Sequence, residues 1–412
     1  MNAKANLVDH NAPLSHPPLF QHYPVKLALH LATTDIRASR AQLDTFREFA
    51  HQGDPLADAV VAEMRSLPGG KGRRLFEQAL NHGIQSVPDA PEALKALFEE
   101  VDAIPYWLDT DKLKLGAETI QRTGLAGAYG ALVDVSLMGG YLARRALKVL
   151  VRTGEIGGKA PRRIAETALW WMSVTDTDGL ERFADGFKNT LRVRITHAQI
   201  RAAMKADKQW NYMDWDSPVN QPQMAGTQLL FSLIGLLGMR VMGFRFTSRE
   251  TDAVIHLWRY VGHLIGVHHD LLPASEDDAW RLMWLLAATE FQPDDDSRLL
   301  AQALSNALPS LHGVTGDSRF SHWAGEVVKQ YHGALSRLVL GSDNAQALGL
   351  KHQPAFTAAV VAASAVNFGI ESVRKTIPGT TRLSVRFGRS SRRFAINRLA
   401  PPLKPNMSFA RD

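Results

Sequence analysis

Residues 162–205 read RRIAETALWWMSVTDTDGLERFADGFKNTLRVRITHAQIRAAMK. Apolar positions recur at helical spacing on either side of Thr175-Asp176-Thr177-Asp178-Gly179. The stretch therefore reads as a helix over 162–174, a tight polar turn, and a second helix over 180–205. Asp178 is the expected N-cap of the second helix. On that helix Arg194, His197 and Arg201 stand at i, i+3 and i+7 and share one face. Leu191, Val193, Ile195, Ile200 and Met204 surround them. The first helix carries Arg163, Glu166 and Thr167 at i, i+3 and i+4, and a helical hairpin brings this face near that of His197.

A histidine between two arginines is biased towards its neutral form, because nearby cations disfavour the imidazolium. A neutral imidazole is the form that ligates iron. The arginines are suited to bidentate contacts with carboxylates such as haem propionates. The spacing alone is weakly specific. A pair of amphipathic helices with solvated arginines produces the same pattern.

Outward from this hairpin, the rest of the chain has the same texture. Helical spacing recurs over 41–64, 91–101, 130–153, 227–242, 248–266, 276–291, 295–307, 319–339 and 354–375, between Pro- and Gly-bearing turns. Ser275 with Asp278, and Ser248 with Thr251 and Asp252, are expected helix starts. Leu383–Phe387 is the one weak strand candidate. The connections are mostly too short to be interdomain linkers. The fold class is therefore all-α, a single globular helical domain over 31–378 whose core covers about 101–273. An N-terminal arm (1–30) precedes it and a basic tail (379–412) follows.

Composition bounds the chemistry. Of 412 residues, 45% are hydrophobic and 21% charged, enough apolar material for a large core and too little charge for disorder. There is no cysteine, which excludes disulfides, iron–sulfur clusters, thiolate-ligated haem and cysteine nucleophiles. Any metal must be held by His, Asp, Glu or Tyr. The apolar runs Leu229–Met239 and Gln353–Ile370 are short or interrupted by polar residues. Both read as buried helices, and no membrane span is expected. The N-terminus shows neither a secretory nor a twin-arginine pattern, so a cytoplasmic location is expected.

The net charge of +6 belongs to the tail, where Arg382, Arg386, Arg389, Arg392, Arg393, Arg398 and Lys404 occur with no acid between them. Without these residues the remainder is near neutral. Such a tail suits peripheral contact with an anionic membrane, or else it is simply solvated and partly docked. No nucleic-acid motif accompanies it, and nucleic acid is not an expected partner.

The stretch RVRITHAQIR, with RRIAET about 30 residues before it, resembles the latex-clearing proteins (rubber oxygenases) and the MpaB-type oxygenases. NQPQMAGTQLLFSLIGLLGMR and LWRYVGHLIGVHHDLLP downstream are also similar to segments of that family. The resemblance implies a globin-like helical core holding haem b (iron protoporphyrin IX). It implies His197 as proximal iron ligand, supported by Arg194 and Arg201, with Arg163 and Thr167 on the distal side and Thr227 lining the pocket. It implies O2 as co-substrate and oxidative cleavage of C=C bonds in a polymeric or smaller apolar, unsaturated, isoprenoid or lipid-like substrate.

One position departs from the rubber-cleaving pattern. A Lys is expected between the distal Arg and Thr, and Glu166 stands there instead. A carboxylate cannot donate a hydrogen bond unless protonated. Either the distal chemistry differs, or Glu166 pairs with Arg163 on its own helix. With no secretion signal seen, the expected substrate is smaller than solid rubber.

Two other readings compete with a haem oxygenase. One is a non-catalytic haem-binding or sensor protein of the same fold. The other is a metal-dependent hydrolase built on His263, His268 and Asp270, from a cluster that also holds His256 and His269. The adjacent Trp170 and Trp171 either wall a haem or apolar channel or, as is commoner, form one core ring and one surface ring. No phosphate-binding loop, dinucleotide fingerprint or nucleophile elbow is present.

Overall fold

The computed structural model describes residues 11–21, 23–154 and 160–398. Local chemistry sets most of the helix starts. After α1 (Tyr23–Ala28), Ser39 and Gln42 form a reciprocal capping box at the head of α2 (Arg40–Glu48). Asp54 caps α3 (Pro55–Ser66), with Pro55 in the first turn where its missing N–H costs nothing. A single helix over 41–64 was expected. The chain instead breaks at Gly53-Asp54-Pro55, a signal that the apolar periodicity masked.

Next come α4 (Lys71–His82), α5 (Glu92–Asp102) and α6 (Thr110–Gln121). The expected helix over 130–153 is two elements. Gly127–Leu137 (α7) is wound as a π-helix, and Arg144–Arg152 (α8) follows a break at Tyr141–Ala143.

The hairpin is α9 (Ala160–Val174) and α10 (Asp185–Ala206). Its turn is longer than expected. Asp178 adopts a positive φ of 62° instead of capping, and α10 starts after Ala184. Then α11 (Gln221–Leu229) runs through a π-turn at Leu230–Ile234 into α12 (Gly235–Val241). Thr247, one residue before the expected Ser248, forms a capping box with Glu250 at the head of α13 (Ser248–Leu264). Ser275 caps α14 (Glu276–Thr289) as expected.

The chain ends with α15 (Asp295–Leu311), α16 (Arg319–Leu340), α17 (Pro354–Thr376) and α18 (Thr380–Arg398). No strand occurs among the described residues; Leu383–Phe387 lies inside α18, and the only bridges, Pro13 with Ser39 and Ala143 with Phe291, are isolated. Thr380–Arg398 thus folds as a helix, and only the part of the basic segment beyond it lies outside the described residues.

The main core surrounds α13, whose Trp258, Val254, Val261 and Leu264 are fully buried. α6 lies against α13 closely enough that a Cβ on Gly116 would sit 2.4 Å from the Ala253 carbonyl oxygen. α10 packs on α3, α9 and α13. Trp170 and Trp171 are both buried, so neither is the surface ring of the pair. Trp170 meets Phe231 and Trp258 at ring-centroid distances of 5.5 and 5.8 Å.

Candidate functional site

The register of the α9–α10 hairpin is fixed by one buried hydrogen bond. The Trp170 indole N–H donates to Thr190 Oγ1 at 3.1 Å. Seven residues back along α9 stands Arg163, and seven residues forward along α10 stands His197. Seven residues are close to two full turns, so both lie on the same faces as the cross-link and about 10.5 Å from it along each axis. Arg163 and His197 thus each stand two turns from the cross-link, and Thr167 one turn nearer it.

His197 is partly buried. Burial, and then the Arg201 cation, lowers its pKa to about 4, with Asp54 opposing. The imidazole is thus neutral, and its Nδ1 is buried with no hydrogen-bond partner. On α9, one Arg163 nitrogen donates to the Tyr141 hydroxyl at 3.0 Å, and its buried Nη1 has no partner. The Thr167 hydroxyl donates to the Arg163 carbonyl at 2.9 Å. The hairpin thus carries a neutral imidazole and a cation, each keeping an unsatisfied buried nitrogen.

Arg194 and Arg201 share the His197 stripe of α10, but their guanidiniums are held by other groups. Arg194 donates to both Asp54 oxygens at 2.6 and 3.1 Å and to Glu100 at 2.7 Å. Arg201 Nε donates to Asp58 at 2.7 Å, and a second nitrogen reaches the Val219 carbonyl at 3.3 Å. Both guanidiniums are almost fully buried. Their fork geometry is committed to carboxylates of α3 and α5, so the expected propionate contacts are not the role this packing gives them. They brace the helix that carries His197. Asp54, Asp58, Glu100 and Tyr141 were missed by sequence reasoning, and only Asp54, placed before Pro55, carried a legible signal.

Glu166 does not pair with Arg163. It accepts from Arg162 Nε at 2.8 Å, four residues earlier and on the more exposed side of the helix. Thr227 is exposed, and its hydroxyl donates to the Gln223 carbonyl of its own helix at 2.9 Å.

The rival histidine cluster does not assemble. His268, His269 and Asp270 are close together, but they are neighbours in the chain and Asp270 and His269 are exposed. His268 Nδ1 accepts from the Asp270 amide at 3.3 Å. His263 belongs to a different contact set, stacked on Tyr260 and edge-on to Trp107. His256 accepts from the Asp109 amide at 3.0 Å, a fold contact.

One residue beyond Tyr141, Leu142 lines an apolar groove of about 390 Å³ between α1 and the core. Val25, Leu31, Leu230, Leu237 and Phe291 are also in its wall, and Arg240 is its one charged residue. Arg240 is already paired with Glu276 at 2.7 Å.

A solved structure described as latex clearing protein LCP in the closed state has the same fold. The TM-score is 0.62 at 20% identity, covering 84% of this chain and 91% of that one. A rubber oxygenase of Streptomyces sp. (strain K30) is 23% identical over 283 residues, which is 68% of this chain. The chain spans 64% of the length of that curated relative. The family model described as ER-bound oxygenase mpaB/B'/Rubber oxygenase, catalytic domain, matches residues 122–368, a stretch that contains the whole α9–α10 hairpin. The chain belongs to the mpaB/rubber oxygenase catalytic-domain family.

Proposed function

We propose that the protein is a haem b-dependent oxygenase that uses O2 to cleave C=C bonds of an unsaturated isoprenoid or lipid-like substrate. The observation that carries this reading is the presence, on one hairpin, of neutral His197 and Arg163, each with an unsatisfied buried nitrogen. Buried polar atoms normally find partners, so these two free nitrogens are available to a bound ligand. The residues present fit haem b. A neutral imidazole is a competent iron ligand, and Val193 and Ile200, one turn either side of it on α10, are apolar.

His197 would hold the iron. Arg194 and Arg201, locked to Asp54, Glu100 and Asp58, fix the rotation of α10 and hence the direction of the imidazole. When bound, the haem supplies the dioxygen chemistry, for which side chains alone are unsuited. Arg163, held by the buried Tyr141 hydroxyl, presents a fixed cation and a free donor on the other side of the hairpin. Thr167 stays tied to the α9 backbone and keeps that face compact. The apolar groove beside Leu142 suits a hydrocarbon chain.

A second reading, a haem-binding protein without oxygenase turnover, draws on Glu166. Its pairing with Arg162 leaves Arg163 Nη1 as the buried charged donor of α9 without a partner.

The test is an absorption spectrum with a pyridine haemochrome assay on wild type, His197→Ala and His269→Ala. A strong Soret band in wild type and His269→Ala, absent from His197→Ala, is the expected result. Equal bands in all three overturn the ligand assignment. Oxygen uptake with unsaturated isoprenoids separates an oxygenase from a haem carrier.

A further inference from the structure

The helix α17 is inside out. Gln353–Ile370 was expected to be a buried helix, but only 11% of the most apolar stretch of α17 is buried, against 61% for the other long apolar helix, Gln221–Val241. The face of α17 turned to the protein carries its polar groups. Asn367 donates to the Met242 carbonyl at 2.9 Å, and Glu371 receives Arg122 at 2.7 Å and Arg374 at 2.9 Å. The face turned outward is uncharged from Ala358 to Ile370 and exposes Val361, Val366, Ile370 and Val373, each by half or more. A water-facing helix has the opposite polarity. An exposed apolar face of this length marks an interaction surface.

The neighbouring helix continues this surface and adds charge. On α18, Leu383, Phe387 and Phe394 are exposed at i, i+4 and i+11, one stripe along the helix. Arg382 and Arg386 flank the stripe, exposed and without a carboxylate partner among the described residues. Exposed Ile377 lies in the tight turn joining the two helices. Val360 of α17 packs in one cluster with Leu335 and Val339 of α16. Phe320 and Trp323, at the start of α16, are exposed as well.

We infer that the outward faces of α17 and α18 dock the protein flat on an anionic lipid bilayer. Apolar side chains with arginines at their flank match the boundary between acyl chains and anionic headgroups. A second copy of the chain is a poorer occupant, since it would bring two basic α18 helices together. Spanning is disfavoured as well. It would pull α17 from α16, carry Glu371 and Arg374 towards hydrocarbon and take Glu371 from buried Arg122. This inference does not depend on the haem assignment.

The experiment is flotation of the purified full-length protein with zwitterionic vesicles and with vesicles containing phosphatidylglycerol. Wild type is expected to float with the anionic vesicles, less so as salt is raised. Val366→Gln/Phe387→Gln, and separately Arg382→Glu/Arg386→Glu, are expected to lose on the order of tenfold in binding while keeping the wild-type melting temperature. These positions are exposed, so the fold tolerates the changes. No flotation of wild type, or equal flotation of all variants, overturns the proposal. So does a sedimentation-velocity dimer that Val366→Gln/Phe387→Gln dissociates, because the face then binds a second copy.

Discussion

At the residue scale, buried charge is the feature with the largest consequences. Arg194 is 2% exposed and held by Asp54, itself 2% exposed. Removing one partner of such a pair costs about 3–5 kcal/mol, and Glu100, which also accepts from Arg194, holds the loss at Asp54 to the low end of that range. Asp54→Ala should therefore lower the urea unfolding free energy by that amount and Asp54→Ala/Arg194→Met by clearly less; equal losses would refute the pairing argument. A second buried pair governs pH dependence. His332 Nδ1 is 2.6 Å from Asp134, and His332 Nε2 is 2.8 Å from His312 Nε2. Burial opposes charge on His332, but the Asp134 carboxylate outweighs it and raises its pKa, so its stabilisation is complete in acid and fades as pH rises through that raised value. Burial, and then the His332 cation, lowers His312 to about 4 from an ordinary value of 6.5. The unfolded chain therefore takes up the His312 proton first, and stability falls as pH drops from 6.5 towards 4. His312→Gln should flatten that acid limb in urea midpoints measured across this range. An unchanged slope would mean that His312 does not titrate against His332.

At the element scale, the π-helix α7 explains why this network was invisible in the sequence. Tyr129 and Asp134 are five residues apart, which an α-helix would turn to different faces. The wider π-winding brings them towards one face, where Tyr129 stacks on His312 at 4.3 Å and Asp134 meets His332. Apolar periodicity tuned to 3.6 residues reads through such a segment as an ordinary helix. The α9–α10 hairpin was legible for the opposite reason, because its polar turn and helical spacing agree. The α2–α3 break and the Thr247 cap were in the sequence as Asp54-Pro55 and Thr247-x-x-Glu250, and the apolar pattern outweighed them. The inverted face of α17 could not be read at all, since an Ala-rich uncharged helix looks like core until its neighbours are known. Packing also makes glycines unequal. Gly116→Ala drives a Cβ into the Ala253 backbone and should cost about 1–3 kcal/mol, while Gly333→Ala in α16 meets nothing within 4 Å and should gain about 0.5–1 kcal/mol. Thermal or urea unfolding of the two variants decides this. Similar shifts in both would mean that α6 and α13 are not in backbone contact.

At the scale of the whole molecule, α18 ties the outer surface to the hairpin. Its Gly388 lies so close to α6 that a Cβ would sit 2.0 Å from the Gln121 carbonyl oxygen. Arg389 donates to Gln121 Oε1 at 2.9 Å and to the Thr177 hydroxyl. Arg392 donates to Thr175 Oγ1 at 2.6 Å and lies 4.6 Å over the Trp171 ring. Thr175 and Thr177 belong to the turn joining α9 to α10, so the basic segment clamps the hairpin that carries Arg163 and His197. A chain ending at Pro378 loses this clamp and exposes Trp171. It should melt at a lower temperature, and haem titrated into it should bind more weakly, because the Trp170–Thr190 bond and the turn then align the two helices without α18. Full-length Phe387→Gln, altered only on the outer stripe, should match wild type in both measurements. Undiminished haem affinity in the shortened chain would show that α3, through Asp54 and Asp58, fixes α10 by itself and that α18 serves the outer surface alone.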